Sequence, residues 1–168
     1  MLKKILLAVM IAIPACMFAQ SAKFGVVNAQ EIISVMPEYK EAGTKLDATT
    51  QQYEEEFKKL NDEIEKKYAE FQKIQNDPKT ADAIKERRMQ EIQELAAKAD
   101  QFRNNAQQEI QNQQVQLLQP IQEKLVKAIQ KVGADNGFTM IFPAEVPAYV
   151  STTVIDATPL VKKELGIK

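Results

Sequence analysis

Residues 53–102 read YEEEFKKLNDEIEKKYAEFQKIQNDPKTADAIKERRMQEIQELAAKADQF, two charged amphipathic runs separated by Asn76-Asp77-Pro78-Lys79-Thr80. Proline cannot donate into a helical ladder and biases the residue before it away from helix, while Asn and Asp favour turns, so the break is a loop. Before it, Leu46, Thr50, Tyr53, Phe57, Leu60, Ile64, Phe71 and Ile74 step by threes and fours, with one heptad position missing. After it the steps resume through Ile84, Ile92, Leu95, Phe102, Ala106 and Ile110. This is the seam of a coiled coil.

If the chain reverses at Asp77-Pro78, facing residues of the two helices carry numbers that sum to about 155. The apolar positions obey that rule. Phe71 falls opposite Ile84, Ile64 opposite Ile92, Leu60 opposite Leu95, Tyr53 opposite Phe102, and Leu46 opposite Ile110. Large residues meet small ones where Phe57 faces Ala99 and Thr50 faces Ala106, so the seam interdigitates without overpacking. The one mismatch sets Lys67 and Tyr68 against Arg88, where an aromatic face and alkyl stems still cover the seam. The reading is an antiparallel helical hairpin.

Working outward, the helical pattern extends over residues 38–132, with the first arm about 58 Å long and the second about 80 Å at 1.5 Å per residue. The excess of the second arm, from about Leu118 onward, has no hairpin partner and is expected to pack on the rest of the chain. There Ala106, Leu117 and Ala128 recur every eleven residues, as do Ile110, Ile121 and Val132, a spacing that leaves the left-handed seven-residue supercoil. Pro120 falls near the level of Met36-Pro37, and Gly43 weakens the first helix just above. Pro37, Gly43 and Pro120 are the candidate joint of the arm, the alternative being a fixed kink with no functional consequence.

The flanks carry β signals. Residues 23–28 (KFGVVN) read as a strand, and Asn28 with Glu31 as a capping-box-like start to a short helix that Met36-Pro37 interrupts. Gly133 is the expected C-cap of the second arm, and Asp135-Asn136-Gly137 a turn. Residues 138–142 (FTMIF) and 149–155 (YVSTTVI) read as two more strands, with Asp156 capping a last helix over 157–165. The fold class is α+β, a small body of about three strands and two short helices with the hairpin inserted as an arm. The expected division is body at 20–37 and 118–168, arm at 38–117, tip near 76–80. So small a sheet has exposed edges and little apolar area to offset chain entropy, so copies of it should associate. The candidate oligomerisation residues are Val26, Val27, Phe138, Met140 and Ile141.

Residues 1–19 combine Lys3 and Lys4 with an apolar run too short for a spanning helix, the pattern of a secretory signal. The only cysteine, Cys16, would leave with it. The alternative takes Ile13-Pro14-Ala15-Cys16 as a lipobox with Cys16 acylated, a motif that Pro14 fits poorly. The chain has no histidine, no mature cysteine and no glycine-rich phosphate loop, which removes the usual general base, thiol nucleophile, zinc ligands and ATP site. No catalytic residues, cofactor or metal are expected. The net charge of -1, with both signs mixed and no basic stripe, gives no case for nucleic acid.

The order strand, long helical hairpin, two strands and closing helix behind a signal resembles the Skp (OmpH-like) periplasmic chaperones. The likeness rests on KFGVVNAQEII (23–33), GFTMIF (137–142) and AYVSTTVIDATPLVKKEL (148–165). It implies a homotrimer whose bodies join in a β core and whose arms surround a cavity that holds unfolded outer-membrane proteins without ATP, in the periplasm. Tyr68 and Met89, with Arg87 and Arg88, are then candidate client contacts on the arm, and the locally basic tip is a candidate contact with a membrane surface. The best-studied members look strongly basic and this chain does not, so electrostatic capture should be weaker here. The alternative, from a second class of function, is a structural coiled-coil adaptor that spaces or links envelope components.

Overall fold

The computed structural model describes residues 22–167, so the expected signal segment and Cys16 lie outside the described residues. The elements are β1 (Phe24–Val27), α1 (Ala29–Val35), α2 (Pro37–Gln75), α3 (Asp82–Asp135), β2 (Met140–Pro143), β3 (Ile155–Asp156) and α4 (Thr158–Glu164). The chain is mostly helical. It divides into two compact units, one gathering residues 22–29 with Ala128–Gly166 and the other spanning Gln30–Lys127.

In the helical unit, α2 starts at Pro37, whose missing N–H costs nothing in a first turn, and follows an extended Met36. The tip turn is held by Asp77, whose carboxylate accepts the Lys79 N–H at 3.0 Å and the Thr80 hydroxyl at 2.9 Å. The chain doubles back there. The rings of Tyr53 and Phe102 meet edge to face at 5.9 Å, on the expected sum of 155. Lys67 pairs with Glu91 at 3.8 Å and Glu38 with Lys124, so the sum rises away from that point. Part of the rise is reach, because helical side chains lean toward their own N-terminus and antiparallel partners therefore meet between their levels. Phe71, Ile92, Ala99 and Ala106 are buried, whereas Ile84 is 51% exposed.

α3 runs without a break through Pro120. It also runs past Gly133, contrary to the expected C-cap. The helix ends at Asp135, and the left-handed residue is Gly137, with φ 65°. The Phe138 N–H donates to the Gly133 carbonyl at 2.9 Å and the Gly137 N–H to the Ala134 carbonyl at 3.3 Å, the paired bonds of a Schellman cap. That cap absorbs Phe138, so β2 begins at Met140 and not at 138.

The sheet is parallel, in the order β2-β1-β3. β1 is central, with Phe24 registered on Met140 and Gly25 on both Ile141 and Ile155. The expected strand over 149–155 shrinks to Ile155–Asp156. Its β-branched run turns instead: the Val154 N–H donates to the Ser151 carbonyl at 3.0 Å, and the Ser151 hydroxyl accepts the Thr153 N–H at 3.3 Å. Such local bonds compete with a ladder. α4 starts one residue later than expected, and the Asp156 carboxylate still accepts the Thr158 N–H at 2.9 Å. Val27, Ala128, Val132, Ala157 and Val161 supply the buried apolar residues of this unit. Lys131 ties the end of α3 to α4 through Glu164 at 2.8 Å, a bond that raises the Lys131 pKa, with Asp135 adding to it.

A methyl group at Gly43 would meet nothing within 4 Å. Gly43→Ala is therefore expected to stabilise α2 by about 1 kcal/mol, the helix-propensity difference with no steric cost. Urea denaturation followed by circular dichroism checks this.

Candidate functional site

Three surfaces expose more apolar area than a solvated helix needs. The first is a groove of about 370 Å³ on the hairpin, walled by Tyr53, Phe57, Phe102 and Ile110 and floored by Ala106. It arises because the small residue at 106 leaves room between two aromatic turns. Leu60, Ile64 and Leu95 continue the seam toward the tip, each half-buried.

The second surface is the tip. A groove of about 340 Å³ is lined by Phe71, Ile74 and Ile84 together with Lys67 and Arg88. Glu91 gathers three cations, Arg88 at 2.9 Å, Arg87 at 3.2 Å and Lys67 at 3.8 Å. The bond from Arg88 is the main cause that lowers the Glu91 pKa, with the neighbouring positive charges adding to it. Three cations on one carboxylate leave the cluster positive. Arg87 and Arg88 are exposed, Tyr68 is 48% exposed, and Met89 is half-buried.

The Asp77 carboxyl is also held below the usual carboxylate range, first by the Lys79 N–H and then by the Thr80 hydroxyl. A lowered folded pKa means that this contribution is present above the ordinary carboxylate value and is lost as pH falls through the folded value. Acidification is thus expected to loosen the tip turn, speeding backbone hydrogen exchange at residues 79–81 relative to the rest of the hairpin. Asp77→Ala should abolish that dependence.

The third surface belongs to the sheet unit. Phe24, Val26, Phe142, Val146, Tyr149 and Val150 border a groove of about 260 Å³, and Tyr149 is 83% exposed. Of the residues named from sequence, Met140 is 54% exposed, Val26, Phe138 and Ile141 are half-buried, and Val27 is buried within its own chain. Sequence reasoning missed Phe24, Phe142, Val146 and Tyr149. Two signals pointed there: Phe24 shares a strand face with Val26 by the two-residue period, and residues 146–150 form an apolar loop with no charge.

No group of histidine, cysteine or carboxylate side chains suited to a metal ion occurs among the described residues. None of the helices described is long and apolar enough to cross a membrane.

The described residues combine a long helical hairpin that carries open apolar grooves with a small parallel sheet, the α+β class of a helical-arm protein. The chain belongs to the OmpH-like outer membrane protein family, which matches it over residues 23–165. Its fold is similar to the crystal structure of a protein from Caulobacter crescentus CB15 assigned as an OmpH-like outer membrane chaperone. The TM-score is 0.75 at 14% identity, over 86% of this chain and 83% of that one. No curated protein matches this chain.

Proposed function

We propose that the protein is an ATP-independent holdase of the periplasm, which keeps unfolded outer-membrane β-barrel proteins from aggregating between the arms of a homotrimer. Membership of the OmpH-like family supports the chaperone role and the compartment. The observation that carries the reading is the aromatic groove of Tyr53, Phe57 and Phe102. It is apolar and open, which suits a client without fixed shape. Tyr68, Met89, Arg87 and Arg88 are assigned as further client contacts, and the positive tip as a contact with acidic clients or a membrane surface.

Trimerisation follows in this reading from the apolar margin of the sheet, with Met140, Phe24, Phe142 and Tyr149 covered by neighbouring copies and Val26, Phe138 and Ile141 completing the joint core. Pro37, Gly43 and Pro120 serve as the joint that lets the arm adapt to clients of different bulk.

A urea-denatured β-barrel protein diluted into buffer with one trimer per chain and no nucleotide is expected to stay soluble, with light scattering as the readout. Tyr53→Ala combined with Phe102→Ala should lose most of that protection while the trimer mass in sedimentation is kept. Precipitation in the presence of the unaltered protein would favour the adaptor reading, in which the rods hold a folded partner and ignore unfolded chains.

A further inference from the structure

Lys124 of α3 donates to the Glu38 carboxylate of α2, joining the two helices through residues 86 positions apart in sequence. The partners sit beside the two prolines. Glu38 follows Pro37 in the first turn of α2, and Lys124 lies one turn beyond Pro120, which has no N–H for the Gln116 carbonyl.

Apolar packing does little on this side. A groove of about 260 Å³ opens between Glu38, Glu41, Lys45, Leu117, Pro120 and Lys124. Ala42 and Ile121, one small and one branched, are the buried residues bordering it. The Glu38 carboxylate is unevenly placed: Oε1 takes the lysine, Oε2 is out of contact with solvent, and the residue's own backbone N–H adds to the lysine in holding the group charged. Lys124 is the main partner of this part-exposed carboxylate, which makes the closed arrangement sensitive to that cation.

We propose that Glu38 and Lys124 form a latch that ties the first turn of α2 to the turn after Pro120 and sets how far the root of the hairpin opens. An ordinary interhelical pair would brace two well-packed helices. This one spans an unfilled groove beside the buried Ala42 and Ile121, so on that side the separation of the helices depends on the pair. In the holdase reading, on which the use of the latch rests, release widens the space open to a bulky client.

The test is a double-mutant cycle read by hydrogen exchange on the full chain without any client. Glu38→Gln and Lys124→Met are each expected to speed exchange of backbone amides 117–124 by up to roughly fivefold, the range of a part-exposed ion pair. The double variant should be no faster than the faster single one, because each change already removes the same bond. Strictly additive effects, or no effect, would overturn the latch. So would acceleration that spreads equally to the amides around Tyr53 and Phe102, since the pair would then be a general brace of the hairpin. If the cycle shows coupling but the unaltered protein fails to keep a denatured barrel soluble, the holdase reading is at fault and the latch stands.

Discussion

Gly25→Ala is expected to destabilise the sheet unit by about 1–3 kcal/mol, the usual cost of forcing a methyl into a filled site. A Cβ at Gly25 would sit 2.8 Å and 3.1 Å from the Phe138 ring and 3.3 Å from the Ile155 carbonyl oxygen. The ring cannot retreat freely, because the Lys23 ammonium lies 4.4 Å from its centroid and also donates to the Asn136 carbonyl at 2.7 Å. Nor can the carbonyl, which belongs to the strand paired with β1. Valine, with two more methyls, should be worse and should also reduce any association that depends on the sheet. Equilibrium unfolding with sedimentation of the same samples checks both. A variant as stable as the original would mean that Phe138 packs elsewhere.

That glycine shows where reading the sequence stops. The hairpin was legible because its determinants are local and repeated: a proline at the turn, apolar residues every three or four positions, and a counting rule that Tyr53 and Phe102 obey. Family membership was legible in the terminal stretches, which fall within the matched region. Gly25 looked like one residue of a short strand. Its need for no side chain comes from a phenylalanine 113 positions away, brought over by a Schellman cap that could have used either Gly133 or Gly137.

The third strand failed for the opposite reason. Residues 149–155 have high β propensity, but propensity expresses fitness for a half-buried pleated surface and needs a neighbour to pair with. β1 offers β3 only the register of Gly25 and Val26, and the hydroxyls of Ser151 and Thr153 close a local turn before that. The apolar groove beside it has the same cause: with no partner strand, Tyr149 and Val150 stay in a loop and leave their side chains exposed at its border.

Within the seam, the counting rule treats Phe71 and Ile84 as equivalent partners, and the structure separates them. Phe71 is 7% exposed and Ile84 is 51% exposed, although both border the tip groove. Phe71→Ala is expected to cost about 3–5 kcal/mol, the range for deleting a buried aromatic ring. Ile84→Ala should cost under about 1.5 kcal/mol, since half its surface is already in water. The turn beyond them relies on the hydrogen bonds of the part-buried Asp77, so Phe71 is the last well-buried anchor before the reversal. Losing it should let the tip fray before the hairpin unfolds. Hydrogen exchange would then accelerate first at residues 66–92, while the amides near Tyr53 and Phe102 keep the protection of their paired rings. Equal costs for the two alanine variants would mean that the tip packs as symmetrically as the counting rule implies, and that Ile84 is buried in solution.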